Sequence, residues 1–155
     1  MEEKYFLHRI KKEAGAFTKG VEVHDTLASA ARAFHGQLKT GYNNPSFPNV
    51  TFVQCFVTDG RGQIVQPYAA TWLKAQEQNA FFLHYARRDG ETYTKGIDVC
   101  ATMDAAAQAF HAQMEYGYDN DKFPGVSFVS CHVTDLLSGG MVLTAETWNR
   151  AEPEE

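Results

Sequence analysis

The sequence has few cysteines and no long apolar run. Its three cysteines, Cys55, Cys100 and Cys131, are an odd number, which does not indicate a disulfide framework. The opening MEEKYFLHRIKK lacks the apolar stretch of a secretion signal, and no later segment is long enough to span a membrane. We therefore expect a cytoplasmic protein with reduced thiols and no membrane contact.

An excess of positive charge is also missing. The formal net charge of −5 argues against general affinity for nucleic-acid phosphates. Residues 1–76 contain nine Lys/Arg and six Asp/Glu, a balance of +3, whereas residues 77–155 contain five and thirteen, a balance of −8. A partner that binds through surface charge should therefore distinguish the two halves of the chain.

Recognisable catalytic and metal-binding motifs are absent from the sequence. It contains no His-x-x-x-His, no Cys-x-x-Cys, no Gly-x-Ser-x-Gly and no glycine-rich phosphate loop. DND at 119–121 opens like a calcium loop but lacks the glycine and the distal glutamate that such a loop needs. We expect no cofactor and no bound metal, and the pattern favours a non-enzymatic protein.

What is present is an internal duplication. AFHGQLKTGYNN at 33–44 returns as AFHAQMEYGYDN at 109–120, a shift of 76 residues. With the same shift and no gap, residues 4–74 align with 80–150, and 29 of the 71 pairs are identical. Two copies are too few for a solenoid. The sequence predicts two like units, 1–76 and 77–155, packed as one body about a pseudo-twofold axis.

Each unit predicts the order strand, strand, helix, strand, strand. In the first copy, YFLHRIKK is typical of a strand, GAFTKG of a turn and VEVH of a short second strand. Apolar residues then recur at helical spacing between an N-cap at Thr26 and a stop at Gly41. VTFVQCFVTD predicts a strong strand, and a weaker one ends near Trp72. The fold class is α+β, with an antiparallel sheet and one helix in each unit.

Alternation along the third strand separates two faces. Val53, Cys55 and Val57 recur in the second copy and predict the face that the helix covers. The other face carries Phe52, Gln54 and Phe56 in the first copy. In the second copy the same positions are Phe128, Ser130 and His132. This half-apolar face needs a cover, either the other repeat, a second chain or a ligand. Packing of the two repeats against each other is the first choice, because about 75 residues alone make a marginal core.

The string YFLHRIKKEAGAFTKGVEVHDT, with a later VTDG and a final Trp72, resembles small proteins of gut bacteria and of their phages and mobile elements. Those proteins carry one such unit, so the resemblance covers this chain twice. The second copy departs from it with HYARRDGETYTKG. The resemblance implies a source and carries no activity, cofactor or site residue.

Polar and aromatic residues that occur in both copies are candidates for contact with a ligand or partner. They are His8, His84, Lys19, Lys95, His35, His111, Gln37, Gln113, Tyr42 and Tyr118. For His35 and His111 the alternative is a half-buried packing role at the flank of the helix. For Lys19 and Lys95 it is a hairpin turn whose lysine points into water.

Composition and motifs leave several functions open. We expect a non-enzymatic protein that binds a protein partner, for example a phage or mobile-element protein that inhibits a host defence protein. The first alternative is a small-molecule binder, such as a nucleotide-sequestering protein, with two equivalent pockets for an anionic ligand. The second is a single-strand nucleic-acid binder that uses the aromatic sheet face, although the acidic second half counts against it.

Overall fold

The structure is a computed structural model and describes residues 3–74, 78–138 and 142–150. These residues form eight strands and two helices in the predicted order. The first repeat contains β1 (Tyr5–Glu13), β2 (Ala16–His24), α1 (Leu27–Leu38), β3 (Val50–Thr58) and β4 (Ile64–Leu73). The second repeat contains β5 (Phe81–Asp89), β6 (Thr92–Cys100), α2 (Met103–Met114), β7 (Val126–Asp135) and β8 (Val142–Asn149). The α+β duplication predicted from the sequence is confirmed.

Each repeat builds one four-stranded antiparallel sheet. The strand orders are β2-β1-β3-β4 and β6-β5-β7-β8, so the first and third strands of each repeat are central. The central pair aligns His8 with Phe56 in one repeat and His84 with His132 in the other. Residues that the sequence alternation assigns to one face therefore lie side by side across neighbouring strands.

The helices begin where the sequence predicts. The Thr26 hydroxyl accepts a hydrogen bond from the Ser29 amide, and the Thr102 hydroxyl accepts one from the Ala105 amide, each at 3.1 Å. Both caps have extended backbone, which is the geometry of an N-cap residue.

The predicted helix stop at Gly41 is wrong. Helix α1 ends at Leu38, with Lys39 as its C-cap. The glycine has a different role, because a Cβ at Gly41 would lie 2.9 Å from Cε3 of Trp72. Gly117 stands at the same distance from the corresponding tryptophan. The glycine is kept in both copies so that the tryptophan ring can lie against the backbone.

The turn predicted within GAFTKG is confined to its first residue, Gly15. The chain reverses at Ala14 and Gly15, which have left-handed φ values of 50° and 83°. Residues 18–20 lie inside β2, and the equivalent residues 94–96 lie inside β6. Here too the glycine makes room for a neighbour, since a Cβ at Gly20 would lie 3.1 Å from Nη2 of the cross-strand residue Arg9.

The four secondary-structure layers are helix, sheet, sheet and helix. Each helix packs on the outer face of its own sheet, where Val53, Cys55 and Val57 (and their copies) form the cores beneath α1 and α2. A third core lies between the sheets and draws on both repeats, with Phe6 and Phe52 from the first and Phe82 and Phe128 from the second. The half-apolar sheet face is thus covered by the other repeat.

Ring contacts across the sandwich are reciprocal, as a pseudo-twofold axis requires. Phe6 meets Tyr93 with centroids 5.8 Å apart, and the equivalent pair, Phe17 and Phe82, is 5.6 Å apart. Both contacts are edge-on, at 66° and 71°. Within the described ranges, neither helix has the length and apolar content that crossing a bilayer requires.

Candidate functional site

The candidates His8 and His84 lie at the centre of the sandwich and not on a surface. Only 3% of His8 and none of His84 is exposed. Their Nδ1 atoms are 3.1 Å apart, so the two equivalent residues meet across the pseudo-twofold axis. Their Nε2 atoms contact the hydroxyls of Thr58 at 3.0 Å and Thr134 at 2.8 Å. These histidines therefore join the repeats, and no partner can reach them in this arrangement.

Gln54 fixes the direction of the hydrogen bonds in this group. Its Nε2 donates to the carbonyl of Asp135 at 3.4 Å, and its Oε1 accepts from the hydroxyl of Thr134 at 2.9 Å. Because the Thr134 hydroxyl already donates to Gln54, it must accept from Nε2–H of His84. Nδ1 of His84 is then bare and accepts from Nδ1–H of His8.

The series of hydrogen bonds continues from His84 through His8 to Thr58. With its proton on Nδ1, His8 has a bare Nε2 that accepts from the Thr58 hydroxyl. Five hydrogen bonds thus run in one direction from Thr58 to the carbonyl of Asp135, and the two histidines hold opposite tautomers. In a symmetric pair either histidine could be the donor of the shared bond. Gln54 fixes the choice, since the second repeat has Ser130 at that position.

Burial keeps these histidines neutral. It lowers the pKa of His8 well below its ordinary value, and the neighbouring His84 and His132 lower it further. The pKa of His84 is lowered in the same way, by burial first and then by His132. A charged imidazole here would lose its water without gaining an anion.

A turn of the first repeat docks on the sheet of the second. Residues 59–63 fold around the carboxylate of Asp59, which accepts from the amides of Arg61 and Gln63 at 2.8 and 3.1 Å. The turn then crosses to β7, where Nε2–H of His132 donates to the carbonyl of Gly62 at 2.7 Å. Burial lowers the pKa of His132, while the bond to Gly62 opposes that shift. The opposite nitrogen, Nδ1, is buried without a partner among the described residues.

The remaining candidates divide between edge strands and helices. Lys19 and Lys95 are exposed on β2 and β6, away from the helices. Gln37 is half-buried, and Oε1 of Gln113 accepts from Arg87 at 3.4 Å.

His35 and His111 are exposed, so the predicted half-buried packing role is wrong for both. Each ring nevertheless touches the apolar stripe of its helix edge-on. The centroid of His35 is 5.1 Å from that of Phe34, and the centroid of His111 is 5.3 Å from that of Phe110. Both side chains are therefore accessible to a partner.

Tyr42 and Tyr118 are large aromatic residues held out in solvent, with 56% and 53% of their surface exposed. Each ring leans on a tryptophan, at 5.9 Å from Trp72 and 5.8 Å from Trp148, with 40° between the planes in both cases. We call these pairs the first and second Tyr–Trp patches.

The backbone that presents each patch is strained. Tyr42 and the next residue, Asn43, have left-handed φ values of 60° and 57°, and the second copy repeats this at 60° and 56°. Such a conformation costs a non-glycine residue about 1–2 kcal/mol. Side-chain bonds offset this cost, because Asn44 Nδ2 donates to the carbonyl of Lys39 at 2.7 Å.

A shallow groove of about 690 Å³ runs from the first Tyr–Trp patch along α1 and β4. His35 and Tyr42 both line it, so the structure brings together two of the predicted candidates. The groove also carries the cations Arg32 and Lys39. The equivalent positions of the second repeat include Gln108, Glu115 and Glu146, which make that surface acidic.

The thiols of the helix-side cores are inert. Burial raises the pKa of Cys55 and of Cys131 to about 12. Cys100 is half-buried, and burial followed by Asp98 raises its pKa too. Within residues 3–74, 78–138 and 142–150, no three histidine, cysteine or acidic side chains are arranged to hold a metal ion.

The aromatic sheet face on which nucleic-acid binding would depend is buried between the repeats. Phe6, Phe52 and Phe56 are therefore unavailable for stacking on bases.

Comparison of the chain with protein-family models, curated proteins and solved structures found no match.

Sequence reasoning missed two interior polar residues, Gln54 and His132, that organise the interface. A signal for them existed. Both positions lie on an interior face, yet they differ between copies, as Gln54 against Ser130 and Phe56 against His132. A polar change at a buried position requires a partner, and here the partner lies in the other repeat.

Proposed function

We propose that this chain is a non-enzymatic binding protein that docks on a protein partner through its helix-side surfaces. The observation that carries the proposal is the pair of Tyr–Trp patches. Tyrosine is enriched at protein interfaces because it offers a large, rigid contact area and a hydroxyl at low entropic cost. The same exposed ring on the same strained backbone in both copies supports a role in contact.

The two surfaces are proposed to play unequal parts. The groove beside the first patch combines apolar residues with Arg32 and Lys39, which fits an acidic region of a partner. The second surface has Glu115 and Glu146 at the positions of Lys39 and Ala70, which fits a basic region. Opposite charges on the two surfaces favour a single orientation of docking.

The partner class is proposed to be a host protein, with this chain acting as an inhibitor of a host defence system. Support for this class comes from the resemblance of the first repeat to small proteins of gut bacteria, phages and mobile elements. The small size of the duplicated unit, about 75 residues, is in keeping with an accessory protein.

The test starts with affinity capture from a bacterial host lysate and continues with the purified captured protein. Its affinity is measured for the wild-type chain, for Tyr42→Asn and for Tyr118→Asn. Asparagine tolerates left-handed backbone, so these variants remove the ring and keep the loop. Loss of a central interface tyrosine should weaken binding about tenfold or more.

Charge reversal provides the matched control. Arg32→Glu with Lys39→Glu changes the first groove, and Lys19→Glu with Lys95→Glu makes the same charge change on exposed edge-strand residues. We expect the groove variant to lose binding and the edge-strand variant to keep it. Equal affinity for wild type and both tyrosine variants would contradict the proposal, even if a protein is captured.

A further inference from the structure

Among the described residues, the sandwich interface has a cleft at one end, lined by both repeats. Its volume is about 290 Å³, at the lower limit of the range for small-molecule sites. Phe6 and Phe128 form its floor, each 3% exposed, and the half-buried ring of Tyr93 forms a side. Glu3, Lys4, Gly60, Arg61 and Asn149 complete the lining.

The pseudo-twofold axis places the same aromatic group at the other end, where it is closed. There Phe82 meets Phe17 and Phe52, with centroids 5.6 and 5.9 Å apart. Leu136 lies over this group with 1% of its surface exposed, and Ala80 packs beside it. This end is a filled core.

The difference between the two ends follows from a few substitutions. Gly60 stands where the second repeat has Leu136, and Lys4 stands where it has Ala80. A leucine side chain therefore fills one end, and nothing replaces it at the other. A Cβ at Gly60 would meet no atom within 4 Å, which confirms the open space.

Backbone pairing also leaves the first end open. The amide of Leu136 donates to the carbonyl of Ala80 at 3.0 Å, and the ladder between β5 and β7 extends to Phe81 and Asp135. The ladder between β1 and β3 starts one pair later, at Phe6 and Thr58. In the described part of the chain, no backbone bond joins Gly60 to Lys4.

We propose that this cleft binds a small planar aromatic anion, of one or two fused rings with a carboxylate or phosphate group. The aromatic floor and Tyr93 would contact the ring faces and edges, where offset and edge-on arrangements are favourable. The cleft is too small for a larger ligand.

Arg61 at the rim recognises the anionic group. Its planar guanidinium matches a carboxylate or phosphate with two parallel hydrogen bonds. No described carboxylate pairs with Arg61, whereas Lys4 is already engaged by Asp25. Glu3 on the same rim disfavours ligands that carry a second negative charge on the far side of the ring.

The test uses 2-naphthoate as the probe and NMR chemical shifts of the full chain as the readout. We expect saturable shifts at Phe6, Tyr93 and Phe128 with a dissociation constant of about 1 mM or tighter, as for a ligand of this size. Gly60→Leu, which copies the closed end, should weaken binding at least tenfold. Gln63→Leu adds a leucine to the same turn outside the cleft and should leave binding unchanged.

The charge preference is tested separately with 2-naphthylmethylammonium. We expect this cation to bind at least fivefold more weakly than 2-naphthoate to the wild type, and Arg61→Leu to remove that preference. Thermal unfolding of each variant verifies its fold. The proposal is overturned if 2-naphthoate gives no saturable shifts up to about 10 mM, if Gly60→Leu binds it as well as the wild type does, or if both probes bind equally.

Discussion

The two repeats are nearly the same beneath their helices and different where they face each other. The helix-side cores keep Val53, Cys55 and Val57 as Val129, Cys131 and Val133. At the interface the equivalent positions differ: the first repeat has Gln54 and Phe56 where the second has Ser130 and His132. The helix-side core is therefore the conserved part of the unit, and the interface is where the copies have specialised.

This difference shows what fusion of a duplicated unit permits. In a homodimer the two faces are identical, so every contact occurs twice or lies on the axis. In one chain each face can change alone. The turn at residues 59–63 docks on β7 through Gly62 and His132, and neither residue recurs in the other copy. The cleft at one end of the sandwich arises in the same way.

Acid should have the largest effect on stability, and it should act through the interface, because the interface contains buried histidines and the helix-side cores contain none. The pKa values of His8, His84 and His132 are lowered in the folded state, while unfolded histidine titrates near 6.5. The unfolded chain therefore binds more protons below about pH 6.5, and stability falls as the pH falls. Below about pH 6.5 each histidine should lower the free energy of unfolding by about 1.4 kcal/mol per pH unit. The three together should lower it by up to about 4 kcal/mol per pH unit.

The measurement is the free energy of unfolding by urea between pH 8 and pH 4.5. His132→Phe copies the residue of the first repeat. It should reduce the change of unfolding free energy with pH by about 1.4 kcal/mol per pH unit, whatever its effect on stability at pH 8. A stability that is flat from pH 7 to pH 5 would show that these histidines are not buried in the folded chain.

Gly62→Ala should give the next largest effect. Gly62 has a φ of 78°, and a Cβ there would lie 1.9 Å from Oγ1 of Thr147 in the second repeat. Left-handed strain and overpacking together should cost about 2–4 kcal/mol. The matched control is Gly60→Ala in the same turn, where a Cβ meets nothing within 4 Å and the change should stay within about 0.5 kcal/mol. Equal stability of the two variants would mean that the turn does not dock on the second sheet.

Serine at the core cysteines should have a smaller effect that is alike in both repeats. Cys55 and Cys131 are buried beneath the helices, and a hydroxyl without a partner there costs roughly 1–3 kcal/mol. Cys100→Ser is the control and should change stability by less than about 0.5 kcal/mol. Both core thiols should also react slowly with iodoacetamide, since a pKa of about 12 leaves almost no thiolate. Rapid labelling of either in the native protein would contradict this placement.

The sequence was sufficient for the order of elements and the faces of the strands. Apolar periodicity reports which side of an element is buried, so the Thr26 cap and the alternation through Cys55 were predicted correctly. The errors at Gly41 and in the TKG segments have one cause. Glycine was interpreted as a turn or stop signal, whereas here it makes room for the side chain of a distant residue.

The candidate site could be predicted only in part. Repetition selected Tyr42 and His35 as candidates for contact with a partner, and the structure brings both to one groove. It could not place His8, because the contact with His84 depends on how two sheets dock. The cleft depends on Gly60 lacking a side chain that Leu136 has, and only the packed interface gives that absence a meaning.

The most direct test of this asymmetry is the tautomer of the two central histidines, measured from the ¹⁵N chemical shifts of their imidazoles at pH 8. The hydrogen-bond chain predicts that His8 carries its proton on Nδ1 and that His84 carries it on Nε2. Gln54→Ser, which makes this position the same in both copies, should remove the preference and average the two sets of shifts. If the two histidines of the wild type already show averaged shifts, or hold the same tautomer, neither is the fixed donor of the Nδ1–Nδ1 bond and the proposed asymmetry is contradicted.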